Sequence, residues 1–219
     1  MAMDAEMIAD RRRLRRKLTL WRVVAFLALM LAVGIVGLVV TNQTRTLVQG
    51  QQIARVTISG IITGDARTTE LLTRVGNSSA VSGVVISISS PGGTTTGSEE
   101  LYRGIRALAA KKPTVAFVDG TAASGGYITA LGADWIVARE TSLVGSIGVL
   151  FQFPNVSHLL DTVGVKVEAI KSSPLKAAPN GFEPTSPEAR EALQSVVNDN
   201  YAWFKDMVRD RRHLAEGEV

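Results

Sequence analysis

The sequence predicts an α/β domain with a largely parallel sheet, preceded by one N-terminal transmembrane helix. Three observations predict it. Apolar, β-branched runs such as Gly83–Ile88 and Thr114–Val118 are each followed by a glycine-containing turn and then a helical pattern. One stretch, Val23–Val40, is an uncharged apolar run of 18 residues. Hydrophobic residues make up 46% and charged residues 20% of the 219-residue chain, a globular balance rather than a disordered one.

The apolar run spans roughly 27 Å as a helix, close to the thickness of the hydrocarbon core of a bilayer. Trp21 sits at its start, where an interfacial aromatic belongs. Residues 1–22 carry seven basic and three acidic side chains, so of the 24 basic and 20 acidic side chains in the chain 17 of each remain elsewhere. The net charge of +4 therefore belongs to the N-terminal flank, which argues against a nucleic-acid partner and for a cytoplasmic basic tail under the positive-inside rule. The organisation expected is a cytoplasmic basic tail (1–22), a transmembrane signal anchor (23–40), a polar linker (41–52) and the α/β domain (53–219) outside the membrane. A cleaved signal peptide fits less well, because no A-x-A site follows the run. A buried core helix would not need seven flanking cations, and an RNA-binding arm leaves the apolar run unexplained.

Within the domain, Ile53–Ser59 alternates as a strand and Thr68–Val75 reads as a short helix. The strand Gly83–Ile88 runs into a sharp turn, Ser89–Gly93. A helix follows with Leu101, Ile105 and Leu108 on one face, ended by Lys111-Lys112-Pro113. After the strand Thr114–Val118 comes a helix of small residues, Tyr127 to Ala133. Trp135–Ala138 and Val165–Ile170 read as strands, with a helix near Val156–Val163 between them. The last element is a long helix capped by Thr185/Ser186 with Pro187 at its first position. Its apolar stripe is Ala189, Leu193, Val196, Val197, Trp203, Phe204 and Met207.

Two loops share one design of strand, glycine turn and helix, and in an open parallel sheet such turns gather where sites are built. Gly92-Gly93 lets backbone N–H groups approach a ligand. Ser124 stands at the start of a helix before Gly125-Gly126, where a hydroxyl is exposed and negative charge is favoured. The combination suits a nucleophile with an oxyanion hole. The plain alternative is that Ser124 is an N-cap and the glycines a turn. Neither G-x-G-x-x-G nor G-x-x-x-x-G-K-[ST] is present, so a phosphate loop is poorly supported. The histidines, His158 beside Leu159 and Leu160 and His213 in a charged run, supply no good base. A lysine serves instead where burial leaves its amine neutral. Lys166, Lys171 and Lys176 are the candidates, and Lys176 lies in the mainly apolar segment Pro174–Pro179. The chain has no cysteine, and nothing in it suggests a metal or organic cofactor.

Four segments in order resemble signal peptide peptidase A, a Ser–Lys protease family (peptidase family S49) within the ClpP/crotonase superfamily. Gly120–Tyr127 (GTAASGGY) resembles its nucleophile motif, Ser89–Gly93 (SSPGG) its oxyanion turn, Leu143–Gly148 (LVGSIG) its T-G-S-[IL]-G-V segment, and Ile170–Lys176 (IKSSPLK) the stretch holding its general-base lysine. The Ser124 to Lys176 separation, 52 residues, is similar to that of the short bacterial form. The likeness covers roughly residues 53–212. It implies a ClpP/crotonase-like spiral of repeated ββα and βα units, with Ser124 as nucleophile, Lys176 as base, Ser146 orienting the lysine, and the N–H groups of Gly93 and Gly125 as oxyanion hole. Lys171 remains a lesser candidate base. The implied activity is a bacterial inner-membrane serine endopeptidase that degrades hydrophobic signal-peptide remnants, assembled as a homo-oligomeric ring. The alternatives are a stomatin-operon-type membrane protease, an enoyl-CoA hydratase or isomerase on the same fold, and an inactive membrane scaffold. The family's G-R-x-x-x-G-x-x-A-x-x-x-G-L-V-D pattern is expected after the long helix and is not found, so the protease domain is expected to lack its C-terminal segment.

Overall fold

The computed structural model describes residues 17–39 and 51–219. The tail through residue 16, Val40 and the linker through residue 50 lie outside the described residues. The chain divides into two units, meeting between Gln51 and Gln52. The first contains helix α1 (Lys17–Val39), whose 18-residue apolar window has a mean hydropathy of 2.5 and which is exposed along its whole length. By length and composition it can cross a membrane. Lys17 to Arg22, from the basic flank, continue the same helix.

The second unit runs β1 (Gln52–Ile62), α2 (Ala66–Asn77), β2 (Val81–Gly93), α3 (Thr95–Ala109), β3 (Thr114–Ala123), α4 (Gly125–Ala130), β4 (Trp135–Ala138), β5 (Leu143–Gly145), α5 (Ser157–Thr162) and α6 (Pro187–Arg212). It is an α/β fold with a parallel sheet. The strand order is β1-β2-β3-β4, and β5 pairs with the C-terminal part of β3. Parallel neighbours require crossovers, and α2, α3 and α4 provide them. Val84, Ile86 and Ile88 of β2 and Ala116, Val118 and Ala122 of β3 are buried, as central strands covered by helices must be. Leu72 of α2, Leu101, Ile105 and Leu108 of α3, Leu131 after α4, and Phe204 and Val208 of α6 complete the same core.

The helices begin where their caps allow. Asp65 accepts from Arg67 N (3.0 Å), Thr94 from Gly97 N (3.2 Å) and Ser186 from Ala189 N (3.1 Å), the last with Pro187 following. Arg211 of α6 reaches back across the core. Its Nε donates to Leu131 O (2.9 Å) and its Nη2 to Ala133 O (2.8 Å), which fastens α6 to the end of α4.

Several expected elements differ. Val165–Ile170 is not a strand; it is irregular, and Val165, Val167 and Ile170 are exposed because no neighbouring strand offers it a ladder. The segment Ser89–Gly93 is not a free turn but the bent end of β2, still paired to β1 through Gly92 and Gly93. The helix of small residues begins at Gly125 and stops at Ala130, ahead of Gly132. Strand β5 lies inside a segment recognised only as a motif.

Candidate active site

Strand β3 delivers Ser124 straight into α4. The backbone of Ser124 has φ 51° and ψ −119°, a conformation an L-residue holds only when its surroundings enforce it. Those surroundings are visible. Ser124 N–H donates to Gly145 O of β5 (2.8 Å), and Ser124 O accepts from Tyr127 N (2.9 Å) and Ile128 N (3.0 Å). Its side chain makes no capping bond to α4. The N-cap reading therefore fails: the residue occupies the cap position while its hydroxyl stays free and half-buried.

The glycine turn of β2 packs against this corner. Gly92 has φ 112°, and a Cβ there would stand 3.0 Å from Ala123 O, Gly125 N and Ser124 Cβ. A Cβ on Gly125 would overlap Ser98 Oγ of α3 and stand 3.2 Å from Gly93 N. Side chains are excluded at both positions, which lets the Gly92-Gly93 backbone approach Gly125 closely beside Ser124. Gly125 is the first residue of α4, where N–H groups have no intrahelical acceptor. Thr94 N–H donates to Ile62 O of β1 (2.7 Å), while Gly93 N stands on the side of the turn that meets α4, 3.2 Å from where a Cβ on Gly125 would be.

These groups open onto one cavity of about 630 Å³. Gly93, Ser98, Ser124, Gly125 and Ser146 form its polar side. Ile128, Ile147, Leu150, Trp203 and Phe204 form its apolar side. The beginnings of α3 and α4 both face it, so their partial positive ends favour an anion there. Burial pushes the Tyr127 hydroxyl, behind Ser124 on α4, above its ordinary value, with Arg212 opposing weakly.

Of the five residues proposed from the sequence, four line this cavity: Ser124, Gly93, Gly125 and Ser146. Ser146 follows β5 with φ 54° and is exposed. Lys176 is not on the cavity wall. It lies exposed in the loop between α5 and α6, its N–H bonded to Ser173 O (3.1 Å), rather than desolvated as the apolar composition of its loop suggests. Lys171 is tied elsewhere. It is ion-paired with Glu183 beside a second cavity of about 670 Å³, and that bond, with a further one from Asn180, holds the Glu183 carboxyl below its ordinary value. His158 and His213 are exposed, and His213 is the left-handed C-cap of α6. Sequence reasoning missed Ser98, whose only trace was its place in the first turn of a helix, and Gly145, whose carbonyl anchors Ser124. It counted Trp203 and Phe204 as helix stripe only, although two adjacent aromatics exceed what one packing face needs.

The family model described as peptidase family S49 matches residues 106–219, just over half of the chain. A Methanocaldococcus jannaschii protein whose name provisionally gives it as a protease is 40% identical over 136 residues, which cover 62% of this chain and 44% of that one. An Enterococcus faecium protein provisionally named signal peptide peptidase SppA is 33% identical over 151 residues, covering 68% of this chain and 43% of that one. The chain thus spans less than half the length of either relative. A solved membrane protease specific for a stomatin homolog, from Pyrococcus horikoshii, superposes with a TM-score of 0.35 at 22% identity, covering 42% of this chain and 47% of that one.

Proposed function

Since the chain belongs to peptidase family S49, we propose that it is a membrane-anchored serine endopeptidase in which Ser124 is the nucleophile and Lys176 the general base. The observation that carries this reading is Ser124 itself. A serine held at φ 51° on a strand-to-helix corner, with no capping bond and with Gly93 and Gly125 beside it, supports a nucleophile reading because its hydroxyl is free and backbone N–H groups are close at hand. A neutral Lys176 amine takes the Ser124 proton as Oγ attacks the peptide carbonyl. The carbonyl oxygen, now negative, accepts from Gly93 and Gly125. The lysine ammonium returns its proton to the departing amine, and water, activated by the same lysine, releases the acyl group. Ser146 holds the amine in line.

Lys176 is exposed in the single chain, as are large apolar side chains of the surrounding segment such as Leu150, Phe151 and Ile170. Burial by a neighbouring copy in a ring would desolvate the amine and bring it to a Ser124 cavity. The substrates proposed are apolar peptides, signal-peptide remnants among them. The support is the apolar wall of the cavity together with α1, which on this reading anchors the enzyme in the bacterial inner membrane with its catalytic domain outside.

The test is hydrolysis of an apolar fluorogenic peptide by the detergent-solubilised protein between about pH 6 and 10, a range over which general-base catalysis is read from the rate. Ser124→Ala and Lys176→Ala lose several orders of magnitude, Lys171→Ala does not, and the wild-type rate rises with pH. Activity surviving in Ser124→Ala refutes the nucleophile. Loss in Lys171→Ala with retention in Lys176→Ala moves the base. Mixing the Ser124→Ala and Lys176→Ala proteins restores activity if the dyad is shared between copies, and restores none if each chain builds its own.

A further inference from the structure

We propose that Ser90 is the positioning residue of the oxyanion turn: its buried hydroxyl locks the Gly92 peptide and thereby aims the Gly93 N–H into the Ser124 cavity. The inference rests on the serine-protease reading above and extends it to a residue that does not line the cavity.

The sheet is irregular on both sides of Ser90. Between the pairs Ser59↔Ser89 and Ile61↔Gly92, β1 advances two residues while β2 advances three. Between Ile88↔Val118 and Ser90↔Ala122, β2 advances two residues while β3 advances four. Each bulge leaves backbone groups without their regular ladder partners, and a buried one must be satisfied from elsewhere. Ser90 is fully buried, at 0% exposure. Its Oγ donates to Gly60 O at 2.6 Å, on β1 opposite the bulge of β2, and accepts from Gly92 N at 3.1 Å. Gly92 O, at 3.4 Å, is the poorer alternative for the single hydroxyl proton.

One side chain thus joins β1 to the turn that carries the oxyanion donor. Gly92 has φ 112°, a conformation glycine reaches easily and leaves just as easily. Nothing intrinsic to a Pro91-Gly92-Gly93 sequence keeps the Gly93 peptide facing α4. Two bonds do so here. The Ser90 hydroxyl fixes the peptide before it, through Gly92 N–H, and Ile62 O fixes the peptide after it, through Thr94 N–H at 2.7 Å. With the hydroxyl removed, the Gly92 N–H is left buried without its partner and the tie to Gly60 O is lost, so the turn relaxes towards any arrangement that pairs the N–H again. The Gly93 N–H then loses its aim at the very point where charge develops in the transition state.

A hydroxyl that merely satisfies two backbone groups would affect stability alone. A positioning hydroxyl affects transition-state binding and leaves ground-state binding nearly intact. The experiment compares full-length wild type, Ser90→Ala and Ser90→Cys in detergent. It measures kcat and KM on an apolar peptide, the melting transition, and the affinity of a peptidyl boronic acid that forms a tetrahedral adduct, followed by the fluorescence of Trp203 in the cavity wall. Expected for Ser90→Ala is a fall in kcat of about 10- to 100-fold, short of the loss of a whole oxyanion donor, with KM within about threefold and boronate affinity falling in step with kcat. Ser90→Cys, which keeps the volume with a weaker donor and acceptor, falls between the two, and it carries the comparison if Ser90→Ala does not fold. Folded variants with kcat and boronate affinity within about threefold of wild type overturn the proposal and leave Ser90 a structural residue. Turnover surviving in Ser124→Ala overturns the serine-protease reading and this inference together. A dead Ser124→Ala beside an unimpaired Ser90→Ala overturns this inference alone.

Discussion

Replacing Gly125 by alanine tests directly the proposal that the Gly93 and Gly125 peptides form an oxyanion site. The new methyl would fall onto Ser98 Oγ, a side chain that is itself fully buried and bonded to Thr94 O at 2.8 Å. It would also stand 3.2 Å from Gly93 N and from Ser98 Cβ, tighter than ordinary packing. Something must move, and the candidates are the first turn of α4 or that of α3. Overpacking of this kind costs about 1–3 kcal/mol of stability. If the displaced peptide is an oxyanion donor, as proposed, the effect on catalysis is larger in proportion, since losing one such donor costs about 100- to 1,000-fold in kcat. Ser98→Ala removes the overlapping oxygen and leaves the two tight contacts, with Ser98 Cβ and Gly93 N, so Gly125→Ala with Ser98→Ala recovers part of the loss. The assay is kcat/KM for wild type, both single variants and the double variant, with circular dichroism to establish folding. The cycle should give a coupling of about 0.5–3 kcal/mol in favour of the double variant. A folded Gly125→Ala protein with wild-type kcat refutes the oxyanion assignment of Gly125. A double variant no better than Gly125→Ala refutes the packing argument and leaves the electrostatic one standing.

Arg211→Ala removes two charge-assisted bonds, to Leu131 O and Ala133 O, and should lower unfolding stability in denaturant by about 2–4 kcal/mol. Arg211→Lys should recover less than half of that, since an ammonium cannot reproduce the fork; a loss under about 0.5 kcal/mol would mean that α6 is held by Phe204 and Val208 alone. Stability should also fall at both extremes of pH. The Glu183 carboxyl is lowered from 4.5, chiefly by the hydrogen bond from Lys171, so its contribution is present above that value and is lost as pH falls below it; Glu183→Gln should flatten the acid limb of the melting-temperature profile. Burial raises the Tyr127 hydroxyl from 10.0, so its contribution is present below that value and is lost as pH rises past it; Tyr127→Phe should flatten the alkaline limb.

The parts of the site that were legible in the sequence are those whose determinants are local. Ser124 could be read because the strand–glycine–helix pattern that strains it is written in eight consecutive residues, Gly120–Tyr127. The start of the last helix could be placed because its cap, Ser186, is a single residue with a fixed offset to the N–H group it accepts from. Ser90 could not be read. Its importance comes from two register shifts against different strands, and a register is a relation between segments that no window on one of them contains. The apolar alternation of Val165–Ile170 failed for the opposite reason. It states a preference for an extended, half-buried surface, and it becomes a strand only where a neighbour supplies the ladder. Lys176 belongs with that segment. Proline, leucine and alanine around it advertise a dry environment, yet in the single chain the lysine is exposed. The composition of the loop and its exposure can both be satisfied only if something else covers it, which makes the complementation of Ser124→Ala by Lys176→Ala the experiment on which the base assignment turns.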